Sequence, residues 1–361
     1  SKEESENILQ PESIDTPLVE ALENYLKNPL VQFHIPGHTR GVGMLPRFKK
    51  LINNKATYLD TTDEFDQLGT LHPATGPIQE AQNLAAEVFG AKKSFFLLNG
   101  SSIGNLALAL TQAKPGKKVI IGRNSHRSIV TGLILSGASP IWVSPKKLEN
   151  WSIWGAVEPD EIEKLLMENP DVSLVWITNP TYEGVVSDIA KISQICKRFD
   201  VPLFVDEAHG CLWTFNEKFP TPALQLGADA VVHSIHKTGG SFSQTSILHI
   251  SHDSKLDIDE VENNLRLLHT TSPSIILLSS IDAARAYLAS ERGKKLINNA
   301  INNSVYLRSE LSKYQQVKVL SAWDNVKIHP TKIYIMIVGL SGKRVESIRE
   351  IEYNLEVDSA A

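Results

Sequence analysis

Cysteine occurs only twice in this 361-residue chain, at Cys196 and Cys211. Two such thiols form neither a disulfide framework nor a zinc motif, so both are expected to be small buried hydrophobes in a reducing compartment. Positive charge is not in surplus either: 36 Lys and Arg stand against 41 Asp and Glu, a net charge of −5. That balance argues against the basic face of a nucleic-acid binder and leaves room for a cationic substrate. No apolar run approaches the ~18 residues that a membrane-spanning helix needs. The opening stretch "SKEESENILQPESID" is too acidic and polar for a signal or transit peptide. A cytoplasmic protein is therefore expected, with neither nucleic acid nor membrane as a partner. Internal repeats, low-complexity tracts and long linkers are also missing, so the length reads as one large domain plus a smaller one.

What the chain does have is a regular series of short apolar runs. "SFFLLNG", "KVIIGRN", "PIWVSP", "SLVWITNP", "PLFVDEAHG", "AVVHS" and "SILHIS" read as seven strands. Most are separated by stretches of helical length such as "EPDEIEKLLMENP" and "VVSDIAKISQICKRFD". This alternation predicts an α/β fold with a seven-stranded, mostly parallel sheet and helices on both faces. Asp15 and Thr16 are placed to cap an earlier helix carrying Leu18, Leu22 and Leu26 on one face. After residue 273 two helical stretches, two strands ("VKVLSA", "KIYIMIVG") and a last helix suggest a smaller α+β domain, which reads as incomplete at "EVDSAA". The expected division is residues 1–45 as arm, helix and loop, 46–285 as the large domain and 286–361 as the small one.

Ligands of open α/β sheets bind at the carboxyl ends of the strands, and chemically active side chains are concentrated there. Lys237, in "SIHKTGGSFSQTSILH", follows a buried strand. A lysine amine attacks a carbonyl only when unprotonated, which requires a desolvated or electropositive site. The alternative is a lysine that reaches out to solvent. Ser234 and His236 beside it are anion-binding donors, and Gly239-Gly240 admits a ligand to the backbone. In "FVDEAHG", Asp206 closes a strand, where a carboxylate needs a cation. The protonated ring nitrogen of pyridoxal phosphate suits it; a metal held by Asp206, Glu207 and His209 is the rival reading, without an HExxH or second histidine cluster to support it. "LLNGSSIGN" gives a strand, a turn and a helix starting near Ser101, where N–H groups and hydroxyls can hold phosphate or simply cap the helix. His126, in "RNSHRS", offers a ring that could stack on a flat cofactor, or a structural histidine.

The order of phosphate turn, histidine, Asp and Ser-x-His-Lys on successive strand ends resembles the fold type I pyridoxal-phosphate enzymes. It is most similar to the prokaryotic-type ornithine/lysine/arginine decarboxylases, through "FHIPGHTRG", "HPATGPIQEAQ", "FLLNGSSIGN", "RNSHRSIV", "ITNPTYEGVVSDI", "FVDEAHG", "SIHKTGGSFSQTSILH" and "HTTSPS". The resemblance implies a fold type I large domain over 46–285 and decarboxylation of lysine, arginine or ornithine to the amine, in polyamine-type metabolism. It implies that Lys237 forms the Schiff base with pyridoxal 5'-phosphate, that Asp206 pairs with the ring nitrogen and that His126 stacks on the ring. His209 would lie near the phenolic oxygen, and Ser101, Ser102, Ser234 and His236 would hold the phosphate. Thr271 or Ser272 would reach the phosphate of a partner subunit, which makes a homodimer the minimal active unit. "TGGSF" after Lys237 departs from the family's more apolar pattern, and the family continues into a longer C-terminal region. Asp60, Asp63, Glu64 and Asp66 in "DTTDEFDQ" are either carboxylates for the substrate's distal cation or a solvated loop. An aminotransferase, with Arg344 or Arg349 for the substrate carboxylate, and a catalytically silent regulatory paralogue are the alternative readings.

Overall fold

The computed structural model describes residues 14–27, 30–353 and 355–358; nearly all of the expected N-terminal arm lies outside them. Its centre is a seven-stranded sheet built from the seven apolar runs: β1 (Lys93–Leu97), β2 (Lys118–Gly122), β3 (Ser139–Val143), β4 (Val172–Thr178), β5 (Leu203–Asp206), β6 (Ala230–His233) and β7 (Ser246–Ile250). The spatial order is β1-β7-β6-β5-β4-β2-β3. β7 runs antiparallel to both neighbours, and every other pairing is parallel. Six strands therefore deliver their carboxyl ends to one edge of the sheet.

The inner strands are largely apolar because both faces are covered, as expected of a parallel sheet with crossover helices, while the edge strand β3 is mostly exposed. Val119 and Ile121 of β2 join one core with Leu174, Trp176 and Phe204, under the helices α3 (Gly100–Gln112), α4 (Arg127–Ser136) and α7 (Ile258–Leu268). Ile120 turns to the opposite core with Val175, Val205 and Val231, beneath α5 (Pro159–Glu168) and α6 (Ile189–Arg198). A third core joins α1 (Pro17–Lys27), α2 (Gly76–Phe89) and α8 (Ile275–Ala289) to β1 and β7 through Phe96 and Ile247. Cys196 and Cys211 are buried and unpaired, and burial pushes their thiols up to about 12 and about 11.

Two local expectations are corrected. The buried stripe of α1 is Leu18, Leu22 and Tyr25, with Leu26 left exposed. The Leu18 N–H at the start of α1 is taken by Asp282 Oδ2 at 3.0 Å, while Thr16 N donates to Glu20 Oε1 at 3.2 Å. Asp282 in turn pairs with buried Arg285 at 2.7 Å, so the start of α1 is fixed by a carboxylate distant in sequence. α8 starts at Ile275, and its cap is Ser274, whose side chain accepts from Leu277 N.

The C-terminal portion consists of α9 (Glu291–Leu311), the antiparallel strands β8 (Val317–Val319) and β9 (Ile335–Ile337), and α10 (Gly342–Tyr353). The expected boundary at 285 falls inside α8, which runs to Ala289. A two-residue strand, Lys327–Ile328, pairs with Val185–Val186 of the large sheet's β4–α6 connection. That pairing brings the C-terminal portion beside the carboxyl edge. Among the described residues, no helix is long and apolar enough to cross a membrane.

Candidate active site

The carboxyl edge of the sheet brings four of the sequence's candidates into one electrostatic group. β5 ends at Asp206, which is 3% exposed. Its carboxylate accepts from Asn105 Nδ2 at 3.2 Å and from Ala208 N at 3.1 Å. Both donors are neutral, and among the described residues no cation forms an ion pair with it. Asn105 lies on α3 and is wholly buried; its amide also donates to Ser128 Oγ at 3.0 Å. Ser128 Oγ lies 2.7 Å from His126 Nδ1, which also accepts from Ser128 N at 3.2 Å. A ring nitrogen that accepts from a backbone N–H carries no proton, so the neutral His126 is protonated at Nε2. Asp206, Asn105, Ser128 and His126 thus form one chain that fixes the imidazole at the start of α4. Burial lowers the His126 pKa, against an opposing pull from Asp206.

Lys237 stands on a single helical turn, Ile235–Thr238, that follows β6. Its side chain opens onto the cleft, yet protein around the amine lowers its pKa by burial, with the Asp206 charge acting the other way. Its Nζ lies 3.0 Å from His209 Nε2. Burial, then the charges of Lys332 and Lys237, drive His209 down to about 2. His209 is therefore a neutral imidazole near neutral pH, and its Nε2 is placed to accept a hydrogen bond from the lysine.

The serines meet where the turn after β1 faces the end of β6. Ser101 Oγ and Ser234 Oγ are 2.7 Å apart and both residues are buried, with Ser246 Oγ 3.4 Å from Ser101 Oγ. Ser102 is in the same first turn of α3, which has no side-chain cap from Asn99. The leading N–H groups of a helix have no intrahelical acceptor. His236 Nδ1 donates to Thr245 O at 2.6 Å, which leaves Nε2 as the uncommitted ring nitrogen. Thr271 and Ser272 are not part of this assembly. Both are exposed, and Ser272 N is engaged locally by Thr270 Oγ1 at 3.2 Å.

The proposed metal set does not converge. Glu207 is fully buried and turns away, accepting from Ala223 N at 2.9 Å and bonding His233 Nε2 at 2.8 Å. Among the described residues no three His, Cys, Asp or Glu side chains are grouped to hold an ion. Of the acidic loop, Asp63 is buried and accepts from Leu71 N at 3.0 Å, and Asp60 pairs with His38 at 3.0 Å. Two site residues escaped the reading of the sequence. Asn105 had a signal, a polar residue between Ile103 and Ala107 on an otherwise apolar helix face. Lys332 had none, because its neighbours Tyr182 and His209 come from far earlier in the chain.

Comparison with known proteins places the chain in a family. The family profile described as "Orn/Lys/Arg decarboxylase, major domain" matches residues 16–356. The arginine decarboxylase of Bacillus subtilis is 37% identical over 351 residues, covering 95% of this chain and 71% of the relative. The Escherichia coli constitutive lysine decarboxylase structure superposes with a TM-score of 0.75 at 26% identity, covering 86% of this chain and 46% of that one. Lysine decarboxylase A from Pseudomonas aeruginosa gives a TM-score of 0.85 at 24% identity, covering 95% and 55%, and at that identity speaks for the fold alone. This chain thus spans about half the length of those solved relatives. By the profile match and the Bacillus relative, the chain belongs to the Orn/Lys/Arg decarboxylase family, within its major domain.

Proposed function

We propose that this chain decarboxylates a basic amino acid, with lysine, arginine and ornithine as candidates, using pyridoxal 5'-phosphate, and that it serves polyamine-type metabolism. The observation that carries the proposal is Asp206: a carboxylate 3% exposed with only an amide and a backbone N–H as donors. A buried anion so placed needs a cation, and a protonated pyridine nitrogen satisfies it. The surroundings fit such a group. Asn105 Oδ1, Thr178 Oγ1, Asn124 Oδ1 and Ser125 Oγ are buried polar atoms without partners along the same edge, and α3 opens without a side-chain cap, its Gly100 N being taken by Gln244 O.

In this reading Lys237 holds the cofactor, Asp206 keeps its ring nitrogen protonated and His126 lies against its ring. His209 stands near the phenolic oxygen, while Ser101, Ser102, Ser234 and His236 hold the phosphate. When bound, the cofactor supplies a sink for the electron pair left as carbon dioxide departs. Burial keeps a fraction of Lys237 in the reactive amine form. Neutral His209, 3.0 Å from its Nζ, would accept a hydrogen bond from the lysine and orient it without taking up charge. The reading also takes the working form to be at least a homodimer, with Thr271 or Ser272 completing the phosphate site of a partner subunit; their exposure and lack of ties to their own chain's site support it.

The test is to load the full chain with cofactor and offer carboxyl-labelled L-lysine, L-arginine and L-ornithine. Labelled carbon dioxide with an equal amount of amine from one or more of them is expected. A 2-oxo acid in place of carbon dioxide would establish an aminotransferase, and bound cofactor without turnover the silent paralogue.

A further inference from the structure

The C-terminal portion carries a cation into the site. Lys332 Nζ donates to Tyr182 O at 2.5 Å and lies 4.8 Å from the centre of the Tyr182 ring. That ring meets His209 edge-on at 5.7 Å. The stem of Lys332 runs over Gly184, whose φ is +98°; a Cβ there would come within 3.0 Å of Lys332 Cβ. The backbone around Lys332 is clamped: Arg308 donates to the carbonyls of Leu320 and Lys332, and His329 Nε2 donates to His209 O at 3.1 Å.

Among the described residues no carboxylate pairs with Lys332; Glu183 acts on it only from a distance. Burial, then the charge of Lys237, brings its pKa down to about 8. The two lysines flank His209, Lys237 directly at 3.0 Å and Lys332 through the Tyr182 ring. His209, pushed down to about 2, supplies no positive charge there. A partly buried cation held by a carbonyl and an aromatic face, with no anion of its own, is a vacancy for an anion.

We propose that Lys332 is the counter-ion for the α-carboxylate of the amino-acid substrate, the group by which the site distinguishes substrate from product. The inference rests on the decarboxylase reading. A substrate whose amine would take the place of Lys237 at the cofactor carries its carboxylate on the carbon next to that amine, so the cation that receives it must stand close to Lys237. The carboxylate leaves as neutral carbon dioxide and the product amine carries no anion, so the pairing holds the substrate and releases the product. Such an interaction stabilises the ground state more than the transition state, and its loss is read in binding.

Binding is measured by equilibrium dialysis in a Lys237→Ala background with cofactor added, where turnover is blocked, with and without Lys332→Met. The ligands are L-lysine, L-arginine, L-ornithine and the amine derived from each. Lys332→Met is expected to weaken whichever amino acids bind by about 10- to 100-fold, the range for hydrogen bonds to charged groups, and to leave the amines within about threefold. Lys332→Arg, which keeps the charge, is expected to retain most of the affinity, and equal melting temperatures identify folded variants. Equal loss for acids and amines, or no loss for either, overturns the assignment. If the binding pattern holds but the parent releases no carbon dioxide, the decarboxylase reading falls and the carboxylate site stands. If the parent decarboxylates and Lys332→Met binds normally, the reverse holds. Failure of the parent to bind any of the three acids overturns both.

Discussion

In the proposed reading Asp206 is the residue on which the chemistry turns, because a carboxylate so far from water is stable only beside positive charge. The cofactor's ring nitrogen would supply that charge, and the carboxylate would keep it protonated. Removing one member of a buried pair costs on the order of 3–5 kcal/mol, which is more than two powers of ten in rate. Asp206→Ala and Asp206→Asn are therefore expected to bind some cofactor through the phosphate turn while turnover falls at least a hundredfold. Turnover of Asp206→Ala within threefold of the parent would remove Asp206 from the mechanism. This residue was legible in the sequence because a carboxylate closing an apolar strand contradicts its surroundings. Lys237 was legible for the same reason. Asn105 and Lys332 were harder, since an amide on a helix and a lysine near a strand are ordinary until folding sets them against Asp206 and Tyr182.

At the scale of elements, all seven strands of the large sheet could be read from apolar runs punctuated by polar ends. The antiparallel course of β7 could not, because the turn "KTGGSFSQTS" gives no strand direction. The pairing of Lys327–Ile328 with Val185–Val186 was also hidden, since a two-residue strand has no periodicity to detect. Thr16 does stand at the start of α1, its carbonyl accepting from Glu20 N, but the side-chain acceptor for Leu18 N could not be read because Asp282 lies 264 positions away. The segment at 270–272, exposed between α7 and α8, is the element assigned above to a partner's site. A twofold dimer repeats such a contact at both sites. Mixing Lys237→Ala chains with chains in which Thr271 and Ser272 are both alanine, each nearly inactive alone, puts both lesions in one site of a mixed dimer. The other site stays intact, so about a quarter of parental activity is expected at equal mixing. No recovery, with subunit exchange verified by mass, would mean that each site comes from one chain.

Across the whole molecule, buried imidazoles tie the sheet's stability to pH. Ser94 Oγ, His249, His233 and Glu207 form a continuous buried line, with links of 2.8, 3.2 and 2.8 Å, flanked by Phe89. Burial holds His249 well below its ordinary value of 6.5, and lowers His269 to about 3 and His329 to about 4. Because these folded-state values are depressed, the unfolded chain takes up protons first as pH falls below 6.5. Stability is therefore lost progressively from there toward about 4, by up to ~1.4 kcal/mol per pH unit for each group. Four carboxyls raised by burial, Asp63, Glu207, Asp229 and Asp282, act in the opposite sense from lower ordinary values, against six lowered histidines once His72, His126 and His209 are included. The melting temperature is expected to fall between pH 7.5 and 5.5, and less steeply in His329→Gln. A melting temperature that held or rose on acidification of the parent would contradict this account of the core.

The central claim is that the cofactor is carried by Lys237 at the carboxyl edge of the sheet. Two lysines in the site have lowered pKa values, Lys237 and Lys332, so the claim separates them directly. Cofactor-loaded protein is reduced with borohydride, digested and mapped by mass spectrometry. The account predicts a single modified position, Lys237, lost in Lys237→Ala and kept in Lys332→Met. Modification at Lys332, or a reducible linkage that survives Lys237→Ala, would contradict it.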